Sequence, residues 1–167
     1  MCDISNARAL PCRDSVGGLK NVYFINYDAD ASVDTVSDTD DQVASAAWAS
    51  TVYKYELKGN SSLTQNIQAS RENGSVAFEQ VLELTLPKLD AADTRDIKLL
   101  SFGRPRIVVE DYNGNFLLVG REHGADVTGG TIVTGAAMGD LSGYTLTFTA
   151  MERMPANHVT GSIPYTV

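Results

Sequence analysis

Ser61-Ser-Leu-Thr-Gln-Asn-Ile-Gln-Ala-Ser70, a turn signal at Asn73-Gly74, then Ser75-Val-Ala-Phe-Glu-Gln-Val-Leu-Glu-Leu-Thr-Leu86 form the stretch on which the fold reading turns. Side chains along a strand point alternately to its two faces. In the first run Leu63, Ile67 and Ala69 share one face, and Ser62, Thr64, Asn66, Gln68 and Ser70 the other. In the second, Val76, Phe78, Leu82, Leu84 and Leu86 oppose Ser75, Glu79, Glu83 and Thr85. Two such runs joined by a Gly-containing turn predict a long, half-buried β-hairpin. Its wet face is polar along the first strand and acidic along the second.

Strand signals continue on both sides of this hairpin. Leu19 to Tyr27 is dense in aromatic and β-branched residues and follows the breaker Gly17-Gly18, and Thr51 to Leu57 alternates and is rich in tyrosine. Between them, Asp28 to Asp41 holds six aspartates and no basic residue, which predicts a long acidic loop. Downstream, Leu89, Ala92, Ile97 and Leu100 fall near helical spacing, with Asp90 placed to cap and Gly103 and Pro105 placed to stop a helix over Leu89 to Ser101. Ile107 to Glu110 and Phe116 to Val119 flank Asn113-Gly114, a hairpin signal for a type I′ turn. Gly129 to Gly139 reads as a weak or edge strand. Tyr144, Leu146, Phe148 and Ala150 alternate with Thr145, Thr147, Thr149 and Met151 to give the last strong strand, and the tail between Pro155 and Pro164 reads as an extended arm.

The expected fold is therefore mainly β, a β-sandwich or partly open barrel with one flanking helix and a long acidic loop, in a single domain over residues 1–167. A chain of 167 residues buries roughly 70% of its unfolded surface without staples. Thirteen Lys and Arg against 21 Asp and Glu leave a net charge of −8, the wrong sign for a surface that grips nucleic-acid phosphate or anionic lipid. Cys2 and Cys12 both lie near the start, with no later Cys to complete a zinc or iron–sulfur set, which leaves one local disulfide or, the favoured reading, reduced thiols. The opening residues lack an apolar secretory core, and no run of about 20 apolar residues suits a membrane span. Synthesis and folding in a cytosol are expected.

Catalytic signatures are missing. There is no nucleophile elbow, zinc-protease, P-loop or dinucleotide motif, and His123 and His158 read as solvated loop residues. Glu79 and Glu83, four apart on one strand face, stand about 13 Å apart by strand rise, too far for a glycosidase pair. Asp28, Asp30, Ser32 and Asp34 echo the alternate ligands of a calcium loop, but Val33 stands where a Gly is needed and Thr39 where a bidentate Glu is needed. No enzyme activity, cofactor or metal is expected. If the polar hairpin faces of several subunits lined a shared channel, Glu79 and Glu83 would make negative rings that repel DNA phosphate rather than adsorb it.

Three stretches carry a family resemblance: the opening Cys2-Asp3 with Pro11 to Lys20 and Tyr23 to Tyr27, the strand–helix–hairpin run from Val76 to Val119, and the closing Gly143 to Glu152. In the order of its elements the chain resembles the tail tube proteins of tailed bacteriophages, β-sandwich or barrel-like subunits that assemble as stacked hexameric rings around the DNA conduit. The resemblance implies that the hairpin region Thr51 to Leu86 lines the lumen, with Ser62, Thr64, Asn66, Gln68, Ser75, Glu79, Glu83 and Thr85 facing it. It implies that the loop Asp28 to Trp48, with Asp28, Asp30, Asp34, Asp38, Asp40, Asp41 and Trp48, reaches an adjacent subunit. The termini, Met1 to Gly18 and Pro155 to Val167, would then be arms that touch neighbours.

The implied partners are further copies of the chain and other tail proteins such as sheath, terminator or baseplate hub. DNA would pass without specific binding, no membrane would be involved, and the protein would reside in the virion after synthesis in the bacterial cytoplasm. Tail terminators, connectors and capsid decoration proteins have similar layouts. A monomeric β-barrel ligand binder, with Trp48, Tyr53, Tyr55 and Tyr144 around a pocket, is the alternative from another class.

Overall fold

The computed structural model describes residues 4, 7–28, 35–37, 42–44 and 51–166. Among these the elements run β1 (Leu19–Ile25), β2 (Thr35–Ser37), β3 (Gln42–Ala44), β4 (Val52–Glu56), β5 (Ser62–Ser70), β6 (Ser75–Pro87), α1 (Ala91–Phe102), β7 (Arg106–Asp111), β8 (Phe116–Val119), β9 (Asp126–Val133), β10 (Gly143–Glu152) and β11 (Asn157–Thr160). They form two sheets, a seven-stranded one in the order β2-β3-β11-β8-β7-β1-β4 and a four-stranded one in the order β5-β6-β10-β9. The fold is mainly β and sandwich-like with one helix. It is not a closed barrel.

The sheets meet through the faces that alternation marked as apolar. Leu82, Leu84 and Leu86 of β6 and Tyr144, Leu146, Phe148 and Ala150 of β10 pack against Val22, Phe24, Ile107, Val109 and Val119 of the larger sheet. The Phe24 and Phe148 rings sit 5.6 Å apart between the layers. A second cluster on the far face of the larger sheet joins Tyr23, Ile25, Val43, Val52, Val108, Leu118, Val159 and Ile163. Strand β1 is thus buried on both faces, which is why its sequence is a nearly continuous apolar run.

Strand β6 pairs with β5 on one side and β10 on the other, both antiparallel, with Ser62 opposite Glu83, Asn66 opposite Glu79 and Thr147 opposite Glu83. Gly143 is required where β10 begins, because a Cβ there would run into the backbone carbonyl of Leu86. Helix α1 is held at its start by the buried Tyr144. Its hydroxyl donates to the Asp90 carbonyl at 2.9 Å, accepts the Asp90 N–H at 3.2 Å and shares a 2.6 Å hydrogen bond with Thr94.

Several expectations change. Thr51 to Leu57 is not part of the long ribbon: β4 pairs with β1 in the other sheet. The helix starts at Ala91, and Asp90 occupies the cap position without a side-chain cap hydrogen bond. The acidic segment contains β2, and β3 follows it, because Thr35–Ser37 and Gln42–Ala44 find a partner in each other. The 155–167 tail is not a free arm, since β11 runs parallel to β3 and antiparallel to β8 with Asn157 and Val159 buried. His158 therefore lies on a strand, not in a loop. The Asn113-Gly114 turn is not type I′. Among the described non-glycine residues positive φ occurs at Lys88, and at this turn Gly114 alone takes it, with the Gly114 N–H bonding Asp111 O and the Asp111 N–H bonding Asn115 O. That is the three-residue loop closed by a left-handed glycine.

Candidate functional site

Every strand of the smaller sheet shows one face to the core and one outward. The outward face collects Ser62, Thr64, Asn66, Gln68 and Ser70 from β5, and Ser75, Ala77, Glu79, Val81, Glu83 and Thr85 from β6. Thr145, Thr147, Thr149 and Met151 of β10 continue it, facing Thr131, Gly129 and Asp126 of β9. The eight residues expected on a polar hairpin face are thus brought to one surface. Ser62, Thr64, Asn66, Gln68, Ser75 and Glu83 are exposed there, while Glu79 and Thr85 are half-buried by their neighbours.

The chemistry of this face is hydroxyl, amide and carboxylate. None of β5, β6, β9 and β10 contains a Lys, Arg or His. Glu79 receives hydrogen bonds from Asn66 Nδ2 at 3.3 Å and Gln68 Nε2 at 3.4 Å, neutral amides that orient the carboxylate and leave its charge in place. Glu83 sits between Ser62 and Thr147. Its separation from Glu79, about 13 Å by strand rise, exceeds the ~8 Å screening length of physiological salt, so the two act as separate negative points. Thr85 is turned toward the chain, its hydroxyl donating to the Asn60 carbonyl at 3.0 Å.

Alternation in β10 was readable from the sequence, but its threonines were not assigned to this surface. Which strands are neighbours is decided by pairing across more than fifty residues, and local periodicity carries no signal for that. Of the loop residues, Asp28 is exposed, and Asp30, Asp34, Asp38, Asp40, Asp41 and Trp48 lie outside the described residues. Comparison of the chain with protein-family models, with curated proteins and with solved structures finds no match.

Two further places hold functional chemistry. Tyr53 and Tyr55 border a cleft of about 210 Å³ with Phe24, Asn26, Asp96, Leu99 and Leu100. The Tyr55 hydroxyl donates to Asp96 at 3.3 Å. Its pKa is pushed up to about 12 by burial first and then by the charges of Asp96 and Asp93. Tyr144 is not a pocket residue, being fully buried under α1. Glu122, His123 and Glu152 each bring one potential metal-ligand atom within 4.8 Å of the others. The buried Glu152 accepts the backbone N–H groups of Glu122 and His123 on one oxygen and faces His123 Nδ1 at 3.2 Å with the other. Those contacts make Glu152 the anchor of the 120–124 turn. Gln80, also buried and passed over by the apolar pattern, accepts the Gly120 N–H and donates to Met154 O.

Proposed function

We propose that this protein is a structural virion subunit, a tail tube protein whose copies form stacked hexameric rings with the four-stranded sheet facing a shared lumen. One observation carries the reading: a whole sheet face of hydroxyl, amide and carboxylate groups, from strands without a single basic residue. A wall of that composition wets well and offers DNA phosphate no counterion to release, so a duplex slides along it without adsorbing.

The sheet also supports ring closure. Its outer strands β5 and β9 run in opposite directions, because three successive antiparallel pairings separate them. Placing β9 of one copy beside β5 of the next continues the antiparallel order and satisfies both rows of unpaired edge groups. Such a head-to-tail contact closes into a ring when the rotation between copies divides a full turn. The sixfold number comes from the family resemblance. The mechanism is assembly and passive guidance, with no chemical turnover, and the contacts outside the ring are with other tail proteins.

Electron microscopy of the purified protein, together with its mass in solution, tests the proposal. Rings or stacked tubes with a central channel are expected, and a strictly monomeric species at micromolar concentration overturns it. The alternative of a small-ligand binder has the Tyr53–Tyr55 cleft of about 210 Å³ in its favour, and a strictly monomeric species that saturates with one small ligand would select it.

A further inference from the structure

The cleft beside α1 is one half of an elongated groove. A second hollow of about 330 Å³, lined by Asn26, Tyr27, Leu99, Leu100, Gly103, Arg104 and Pro105, adjoins it through the shared Asn26, Leu99 and Leu100. The groove floor is aromatic and aliphatic, and of its lining residues Leu99 is 58% and Tyr53 47% exposed. The helix beside it mixes charges, Asp93 and Asp96 with Arg95 and Lys98. Arg104 lies over the Tyr27 ring at 4.2 Å, whereas Asp96 meets a neutral tyrosine hydroxyl, with Asp93 one turn away on the helix.

The N-terminal segment has the matching chemistry and nothing of its own to rest on. Ala7 to Gly18 is exposed at every position, Leu10 at 97%. Among the described residues, no hydrogen bond or ion pair holds it before Val16, which exchanges backbone bonds with the Asn113 side chain. In a chain of net charge −8 this segment carries two arginines, Arg8 and Arg13, bracketing Leu10, against the single acid Asp14. Its root is also at the wrong end of the subunit for its own groove. The segment enters β1 at Leu19, beside Asp111, while the groove lies past the other end of β1 at Asn26, roughly 23 Å away at strand rise.

We propose that residues 7–15 of one copy dock in the α1 groove of a second copy, Leu10 entering the apolar cleft and the flanking arginines facing Asp93 and Asp96. Donor and acceptor sit at opposite ends of β1, so the contact is heterologous and repeats along one direction. On the tube reading, on which this assignment of the direction rests, it is the link between successive rings. The exposed arm is then ordered only on assembly.

The arm carries its own probe, since Cys12 is a free, exposed thiol. In a Cys2→Ser, Leu99→Cys protein, mild oxidation of the assembled material should give a ladder of disulfide-linked multimers on a non-reducing gel. The proteins with a thiol at 12 alone or at 99 alone should stay monomeric on that gel. A cross-linked monomer of altered mobility without a ladder would mean the arm folds back on its own groove, and overturns the proposal. So does the absence of any disulfide, or an equal ladder when Met138→Cys replaces Leu99→Cys. The two readings separate cleanly: rings in the microscope without the ladder remove the arm contact alone, and the ladder without rings removes the tube reading while the groove contact stands.

Discussion

At the residue scale, buried polar side chains hold the layers in position. Tyr144→Phe keeps the ring and removes the hydroxyl that accepts the Asp90 N–H and meets Thr94, while the Asp90 carbonyl keeps its bonds from the Thr94 N–H and hydroxyl. Leaving such groups unpaired costs about 1–3 kcal/mol, so thermal unfolding should shift down by that amount while the sheet signal in circular dichroism stays. Glu110 is the second case. Burial would raise its pKa, but hydrogen bonds from Asn21, Tyr23 and Lys20 outweigh it and hold the carboxyl below its ordinary 4.5. A depressed folded-state pKa contributes stability that is fully present above the unfolded value and is lost as pH falls through the folded one. The melting temperature should therefore drop with acidification below about pH 4.5, and Glu110→Gln should lower it at neutral pH and flatten that slope. Asp111 is depressed as well, its burial outweighed by Asn115 and Asn113, so part of the acid dependence should persist in the variant. These roles were not legible in the sequence. Tyr144 and Glu110 look like any half-buried strand residue until pairing brings Asp90 and Asn21 beside them.

At the element scale, the β5–β6 hairpin shows how far periodicity reaches. Its two faces were assigned correctly from alternation alone, because a strand's side-chain period is fixed by backbone geometry. Alternation does not say how much of the inward face is covered. Leu82 is wholly buried, yet Val76 and Ile67 on the same face are 56% and 69% exposed, since the ribbon's turn end is not covered by the facing sheet. Leu82→Ala should accordingly cost about 2–5 kcal/mol, and Val76→Ala within about 0.5 kcal/mol, both read by denaturant unfolding. On the outward face, Glu79→Lys with Glu83→Lys should leave unfolding nearly unchanged. On the proposed tube reading it should convert an assembly indifferent to DNA into one that retains it at low salt and releases it as salt rises, measured by filter binding across ionic strength. DNA retention unaffected by the double charge reversal would remove this face from the conduit.

At the scale of the whole molecule, sheet membership separates what was readable from what was not. The strands with clear alternation or continuous apolar runs, β1, β5, β6, β7, β8 and β10, were all legible, as was a helix ending near Gly103. Strand β11 was not recognised, although its Asn157 and Val159 are buried and His158 and Thr160 are not, because four residues between prolines give too short a pattern. An assembly of copies in solution is the expected outcome of mass measurement, and deleting residues 2–15 should weaken that assembly while leaving the melting temperature of the dissociated subunit within about 1 °C, since residues 7–15 are exposed at every position within one copy. Local chemistry in the chain determined the class of the fold, the acidic character of the hairpin and the lack of basic groups along its two strands, because side-chain alternation and charge are properties of neighbours in sequence. Tertiary structure alone decided that β4 leaves the ribbon, that the threonines of β10 extend the acidic face, and that α1 leaves a groove open. Each depends on which distant strands share hydrogen bonds, and that choice is made by burial of the core as a whole.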